Sequence, residues 1–261
     1  MALYDRIGIG YDGTRRADPY LLSRILHHLA PRPDARYLDV GSGTGNYTIA
    51  MRQAGVAICG VEVSATMIER ASAKSREVAW FNGNILALPF RDRAFAGATM
   101  TFVHHHLGDK AVAGFREIVR VLAPGAHFVL LNATAEQCWH YWLNEYFPKT
   151  CAEANAPYER VNTAEALTAA GFRLVAEEKY DVAEDLQDWF MYCGKNHPER
   201  YLDPRVRSGI SGFANASDQG EIERGLRQLA DDIKSGRIAE VMRKYAWDGG
   251  DYMFTIAAKP D

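Results

Sequence analysis

Strand-like and helix-like segments alternate along the middle of this 261-residue chain, and this alternation restricts its fold more than any other feature. The strand candidates occupy residues 35–40, 56–63, 78–83, 96–103 and 126–133. Helical patterns lie between them, near residues 45–54, 64–75 and 109–122. Strands and helices at this spacing predict a parallel sheet with helices on both faces. Right-handed crossovers then restrict the topology to a doubly wound, Rossmann-like α/β fold.

The flanking regions predict two further strands, which make a mostly parallel sheet of seven strands. Residues 19–30 repeat apolar side chains at helical spacing within an N-terminal helical extension. A helix and a strand follow at 166–180, and a last strand is expected at 252–259. Residues 183–248 lie between these two strands and are expected to be mostly helical. We therefore predict one domain over residues 1–261, with a helical insert before the last strand.

Composition and charge exclude several classes of protein. Hydrophobic residues make up 48% and charged residues 24%, which is typical of globular domains and excludes a disordered chain. The net charge of −3 provides no basic field for nucleic acid or an anionic membrane, so we expect neither partner. The four cysteines form no CxxC pair and no zinc-ligand spacing, so we expect no metal. Scattered cysteines and the lack of a leader or long apolar run predict a cytoplasmic protein.

A glycine-rich loop follows the first predicted strand, which ends at Val40. Glycines permit positive φ and let a ligand approach the backbone closely. The helix that begins near Asn46 presents unpaired N–H groups at its start. In doubly wound sheets, ligands bind beyond the carboxyl ends of strands. We therefore expect a ligand against the loop residues Gly41, Ser42, Gly43, Thr44 and Gly45.

Charge and spacing around this loop favour a cationic nucleoside. A dinucleotide-binding loop has the spacing G-x-G-x-x-G, and its third glycine would stand where Asn46 does. Asp39 precedes the loop, and its carboxylate would repel a pyrophosphate but attract an ammonium group. Glu62 ends the second strand about 20 residues further on, where an acid accepts two hydrogen bonds from a ribose diol.

Five motifs in order resemble the class I S-adenosylmethionine-dependent methyltransferases. They are LDVGSGTG, VEVSATMIERA, NGNILALPFRDRAF, FVHHHLGD and REIVRVLAPGA. The resemblance covers about residues 4–135 and is strongest to the branch that includes the ubiquinone and menaquinone C-methyltransferases. It implies S-adenosyl-L-methionine as cofactor. It also implies methyl transfer, by in-line displacement, to a small-molecule acceptor.

The resemblance also implies roles for individual residues. The methionine part of the cofactor would be lined by Asp39, Gly41, Ser42, Gly43 and Gly45. Glu62 would bind the ribose and Thr101 would lie near the amino group, while the adenine would be met by Val63, Met67, Asn84 and Ile85. The family usually has Asp at position 84 and at position 96, where this chain has Asn84 and Ala96.

The segment YDGTRRADP at residues 11–19 is also similar to family sequences. Similar proteins carry Tyr, Arg and Pro at intervals of four residues, which here are Tyr11, Arg15 and Pro19. Arg15 would bind the methionine carboxylate, because a guanidinium suits a charge-assisted contact with a carboxylate. Tyr11 would cover the reacting end of the cofactor.

Three consecutive histidines follow the fourth predicted strand and are candidates for a general base. Histidine titrates in the useful range, although three neighbouring side chains cannot all point into one cleft. The resemblance favours His105 and His106, in the segment HHLGD. Changing either of them to Ala is expected to lower turnover far more than cofactor affinity. A base is needed only if the acceptor carries a proton at neutral pH.

Large aromatic residues cluster at 138–148 and 189–192, after the predicted core. They fit core packing under a lid and also fit a pocket for an apolar or aromatic acceptor. We therefore divide the single domain into a cap (1–30), a cofactor-binding core (31–135) and lid or acceptor-site insertions (136–165 and 183–248). Two alternatives remain open: an S-adenosylmethionine-binding protein without methyl transfer, and a nicotinamide oxidoreductase, which the loop spacing disfavours.

Overall fold

A computed structural model describes residues 11–261, and a seven-stranded sheet forms its centre. The strands are β1 (Arg36–Val40), β2 (Ala57–Glu62), β3 (Ala79–Asn82), β4 (Phe95–Thr101), β5 (Leu122–Asn132), β6 (Arg173–Tyr180) and β7 (Tyr252–Ala258). Their order across the sheet is β3-β2-β1-β4-β5-β7-β6. Strands β1 to β5 pair in parallel, whereas β7 pairs antiparallel with both β5 and β6. The predicted mostly parallel, doubly wound sheet is confirmed.

Helices cover both faces of the sheet and form the lid. They are α1 (Pro19–Leu29), α2 (Asn46–Gln53), α3 (Ala65–Lys74), α4 (Ala111–Val121), α5 (Ala135–Trp139), α6 (Pro148–Arg160), α7 (Thr163–Ala170), α8 (Pro204–Ser208), α9 (Ser211–Ala214), α10 (Gln219–Ser235) and α11 (Ile238–Lys244). Short 3-10 turns occur at Tyr11–Gly13, His104–His106, Gly108–Lys110, Trp142–Glu145 and Pro198–Leu202. No helix in residues 11–261 is long and apolar enough to cross a membrane.

Alternation along the strands builds an apolar core on each face of the sheet. Tyr37 and Val129 pack with α1 and the lid, whereas their neighbours Leu38 and Leu130 pack with α4 and α7. Successive side chains of a strand point to opposite faces, so strands buried on both faces need continuous apolar runs. The lid therefore lies on the same face of the sheet as α1.

Side-chain caps fix where helices begin on the lid side. The Asp18 carboxylate accepts from the N–H groups of Tyr20 and Leu21 at the start of α1. Thr134 and Gln137 form a reciprocal capping box at the start of α5, directly after β5. These capping side chains fix the starting points of α1, in the N-terminal cap, and of α5, the first helix of the lid.

The insert before β7 is less helical than its sequence predicts. Residues 181–197 form turns, and helical structure resumes with the 3-10 turn at Pro198–Leu202. Contacts to the N-terminal cap hold this turn segment in place: Trp189 N–H donates to the Thr14 carbonyl (3.0 Å), and Gln187 N–H donates to the Asp18 carboxylate (3.0 Å). The cap and the insert therefore contact each other directly.

Candidate active site

One large cavity opens at the carboxyl edge of the sheet, between the core and the lid. Its volume is about 710 Å³, which is enough for a nucleoside-sized ligand together with a small second molecule. Loops after β1, β2, β3 and β4 form its core side, and α5, α6 and residues 190–192 contribute to its lid side. The cavity lies beside β1 and β4, where the strand order reverses and open α/β sheets bind ligands.

The glycine loop lies against this cavity, and its backbone passes close to two neighbouring side chains. Gly41 has a φ of 73°, and a Cβ there would lie 2.5 Å from a methyl carbon of Val103. Gly45 has a φ of 81°, and a Cβ there would lie 2.3 Å from the Trp80 ring. Gly43, with a φ of 54°, lines the cavity and has no other atom within 4 Å of a Cβ position. The loop thus leaves open space at Gly43 for a ligand.

Glu62 lies at the end of β2 and faces the cavity beside this loop. Its carboxylate accepts from the N–H of Gly43 (3.1 Å) and from the N–H of Ser64 (3.0 Å). Only 8% of Glu62 is exposed. Backbone hydrogen bonds therefore fix the carboxylate at a position where hydroxyl groups of a ligand can donate to it.

The predicted adenine-binding residues line an adjoining part of the cavity. Val63, Met67, Asn84 and Ile85 all contribute to its wall. The Asn84 side-chain oxygen accepts from the N–H of Leu86 (2.9 Å), so this amide also shapes its own turn. Thr101, at the end of β4, lines the wall as well. The roles of these residues toward the cofactor stay predictions.

Three predicted cofactor residues lie away from the cavity wall: Asp39, Ser42 and Gly45. The Asp39 carboxylate accepts from the hydroxyls of Thr48 (2.5 Å) and Thr99 (3.0 Å), which ties α2 to the sheet. Burial raises the pKa of Asp39 to about 6. In this structure Asp39 is a buried structural acid beneath the loop. Direct contact with a ligand ammonium, which the sequence suggested, stays a prediction.

Arg15 lines the cavity and is held by an acid of the insert. Its guanidinium donates to both carboxylate oxygens of Asp188, at 2.5 and 3.2 Å. The Tyr47 hydroxyl donates to the same carboxylate (3.1 Å), and Asp188 is 1% exposed. Arg15 is therefore oriented before any carboxylate ligand arrives. The side chain of Tyr11 lies outside the described residues.

The histidine segment forms a 3-10 turn after β4, and its three rings differ in environment. His104 is buried, does not line the cavity, and accepts at Nδ1 from the Asn132 amide (2.7 Å). Burial lowers its pKa to about 4. His105 and His106 both line the cavity, with ring centroids 3.9 Å apart. His106 is exposed, whereas His105 is half-buried.

His105 is paired with a tyrosine of the lid that sequence reasoning missed. The Tyr158 hydroxyl lies 3.0 Å from His105 Nδ1, and the two rings stack at 5.1 Å. Burial and the adjacent histidine rings hold the pKa of His105 well below its ordinary value. The ring is therefore neutral near pH 7, with one nitrogen as donor and the other as acceptor.

Aromatic side chains line the lid side of the cavity. Phe190, Tyr192 and Tyr252 line it and pack on one another, with ring centroids 4.9 and 5.0 Å apart for the pairs that include Tyr252. Phe102 joins them with a φ of 57°, an uncommon backbone conformation for a residue with a side chain. Part of the predicted aromatic cluster instead fills the core, because Trp142, Tyr146 and Phe147 are buried away from the cavity.

The residues present fit S-adenosyl-L-methionine. The open position at Gly43, the fixed carboxylate of Glu62 and the apolar wall at Met67 and Ile85 match a methionine part, a ribose and an adenine in turn. The cavity continues past them to the His105–Tyr158 pair. The fold and the site therefore define a nucleoside-binding enzyme of the doubly wound α/β class.

Comparisons with known proteins narrow this class to one family. A family profile described as a methyltransferase domain matches residues 38–130. The demethylmenaquinone methyltransferase of Lactiplantibacillus plantarum is 36% identical over 171 residues, covering 57% of this chain and 70% of that protein. The corresponding protein of Corynebacterium kroppenstedtii is 32% identical over 133 residues, and the match spans 49% of this chain and only 57% of that relative.

A solved structure agrees with this result over nearly the whole chain. It is described as a candidate methyltransferase from an antibiotic biosynthesis pathway of Anabaena variabilis. The TM-score is 0.81 at 27% identity, and the match covers 94% of this chain and 99% of that one. This chain belongs to the class I S-adenosylmethionine-dependent methyltransferases, in the branch that includes the menaquinone methyltransferases. Its cofactor is S-adenosyl-L-methionine, and a binding protein without methyl transfer is not favoured.

Proposed function

We propose that this protein methylates a small aromatic acceptor that carries a titratable proton beside its reacting atom. The pair formed by His105 and Tyr158 carries this proposal, because it lies on the wall of the same cavity as the glycine loop. Bound S-adenosyl-L-methionine supplies an electrophilic methyl group on its sulfur. The protein's own part is to align the acceptor and to remove its proton.

We propose His105 as the general base. In the productive tautomer, His105 donates from Nδ1–H to the Tyr158 oxygen, which leaves Nε2 unprotonated to take the acceptor's proton. Tyr158 then fixes the ring orientation, as a second group does for the base of many enzymes. His106 is exposed and its ring packs at a tilt against His105, so we assign it a supporting position rather than the proton transfer.

The position of the cavity between the core and the lid supports a small molecule rather than nucleic acid as acceptor. Aromatic residues of the lid line the same cavity as His105, and this lid lies outside the matched residues 38–130. The relatives named demethylmenaquinone methyltransferase support a ring-containing acceptor. All four cysteines are unpaired, which supports a cytoplasmic location.

Titration calorimetry and turnover together test this function. We expect the purified chain to bind S-adenosyl-L-methionine and its demethylated product, and Glu62→Gln to weaken both, because the neutral amide loses charge-assisted hydrogen bonds. One such bond contributes about 1.5–3 kcal/mol, so the affinity should fall about tenfold or more. Absence of binding heat for either compound in the unmodified protein would refute the proposal.

Turnover is measured as S-adenosylhomocysteine formed with 1-naphthol, 1,4-dihydroxynaphthalene or catechol. With an acceptor that reacts, His105→Ala is expected to lower kcat about 100-fold or more, with unchanged affinity for S-adenosylhomocysteine. His140→Ala is the matched control, because His140 stacks on Trp247 outside the cavity. Equal turnover in the His105→Ala variant and the control would remove His105 from the mechanism.

A further inference from the structure

A buried amide of the lid points to a second recognition element in the cavity. Asn155 lies in α6 and is 4% exposed, and it lines the cavity. Within residues 11–261, its Nδ2 has no hydrogen-bond partner. Buried polar groups in folded proteins are nearly always hydrogen-bonded, and an unmade bond costs stability. This donor is therefore available to a molecule that enters the cavity.

Asn155 lies near the proposed base, His105, through a neighbour on its own helix. It precedes Tyr158 by three residues in α6, so the two side chains share one face of the helix. Tyr158 in turn contacts His105. Close packing encloses the wall beside Asn155: a Cβ at Gly212 would lie 3.2 Å from the Cβ of Ala154, so α9 packs directly on α6.

Part of the cavity wall on the lid side is apolar and aromatic. Cys138, Phe190 and Tyr252 line the cavity and are buried among apolar and aromatic neighbours. Burial raises the pKa of the Cys138 thiol to about 12, so it stays neutral and is a weak donor. A few fixed polar groups on a largely apolar wall orient a ligand in a binding pocket, and the Asn155 amide is such a group.

We infer that Asn155 is a specificity-determining residue whose Nδ2 donates to an oxygen atom on the acceptor ring. This inference rests on the proposed function and adds to it one required feature, a ring oxygen that accepts a hydrogen bond. A ring without such an oxygen leaves the amide buried and unpaired, which is the situation in which sites discriminate strongly. The bond also orients the ring relative to His105.

A purely structural amide predicts the opposite effect on stability. If Asn155 served only the fold, replacing it by leucine would lower the melting temperature. Because Nδ2 has no partner, we expect Asn155→Leu to remove an unpaired donor at similar volume and to raise the melting temperature of the ligand-free protein, by about 2–4 °C. Loss of ligand preference together with higher stability is the signature of a binding residue.

Binding of 1-naphthol and naphthalene, measured in saturating S-adenosylhomocysteine, tests the inference. We expect the unmodified protein to prefer 1-naphthol by about tenfold, and Asn155→Leu to lower this preference while S-adenosylhomocysteine affinity stays unchanged. Glu159→Gln is the matched control on the same helix, because Glu159 is exposed and bonds only to Trp139 among the described residues. It should retain the preference.

Each other outcome overturns the inference in a distinguishable way. An undiminished preference for 1-naphthol in Asn155→Leu, or a lower melting temperature of that variant, assigns Asn155 to the fold alone. Restored 1-naphthol binding in Asn155→Asp would show that the ligand donates to residue 155, contrary to the proposed direction. If the unmodified protein binds S-adenosylhomocysteine but neither ring compound, the aromatic-acceptor proposal fails and the inference fails with it.

Discussion

Two glycines of the same loop should respond very differently to alanine. Both Gly43 and Gly45 have positive φ, 54° and 81°, so an added Cβ strains the backbone by about 1–2 kcal/mol at either position. At Gly45 the Cβ would also lie 2.3 Å from Cη2 of Trp80 and 3.0 Å from two neighbouring ring atoms. The indole cannot move easily, because its N–H donates to the Ser75 carbonyl (2.9 Å).

The expected magnitudes follow from these contacts. Overpacking of a well-packed site typically costs about 1–3 kcal/mol, so Gly45→Ala should lower the free energy of unfolding by about 2–5 kcal/mol. Gly43→Ala should lower it by only about 1–2 kcal/mol. The effect on binding should be reversed, because Gly43 lines the cavity and Gly45 does not. We expect weaker S-adenosylmethionine binding in Gly43→Ala and near-normal binding by the folded fraction of Gly45→Ala.

Urea unfolding of a double-mutant cycle with Trp80→Leu isolates the steric part. Gly45→Ala and Trp80→Leu should be non-additive, with a coupling energy of about 1 kcal/mol or more, because the smaller side chain makes room for the Cβ. Gly43→Ala and Trp80→Leu should be additive, since no atom lies within 4 Å of the Cβ position at Gly43. Equal destabilisation by the two alanines, or zero coupling at Gly45, would refute this reasoning.

Three further predictions concern titration and the buried ion pair. Turnover should stay level from about pH 8 to about pH 6, because the lowered pKa of His105 keeps this base unprotonated over that range. A fall in turnover across this range of the pH–rate profile would contradict the role of His105. Asp188→Ala should lower the free energy of unfolding by about 3–5 kcal/mol, since the mostly buried guanidinium of Arg15 loses this carboxylate. Arg205→Ala removes an exposed pair and should leave chemical denaturation unchanged. The pKa of Asp39 is raised from 3.8 to about 6 in the folded state, so its ionisation lowers the free energy of unfolding as pH rises between these values. Asp39→Asn should weaken this pH dependence, which urea unfolding at about pH 4 and about pH 7 measures.

The strands and the glycine loop were predictable because local sequence dictates them. Each of the first five strands is a short apolar run between turn residues, and the loop at 41–45 requires positive φ at three glycines. The edge formed by β6 and β7 was also predictable as two late strands, whereas the antiparallel direction of β7 comes from the structure. In these segments a residue's role depends mainly on its immediate neighbours.

The lid side of the site could not be predicted in the same way, because its contacts join distant segments. Tyr158 meets His105 across 53 residues, and Asp188 meets Arg15 across 173. Aspartate and asparagine are common in loops and exposed helix faces, so the sequence gives no sign of their partners. For Asn155 a weak signal existed, since a polar residue shares the helix face of Tyr158 and follows the buried Cys151 by one turn.

The bond between Arg15 and Asp188 limits how this enzyme could be re-engineered. The lid is built from two stretches of chain that leave and rejoin the sheet at the ends of β5, β6 and β7, which makes it an attractive unit to transplant between relatives. A chimaera that exchanged residues 181–214 without an acid at position 188 would remove the carboxylate that holds the Arg15 guanidinium. Grafts that alter substrate choice must therefore carry the N-terminal arginine and its aspartate together.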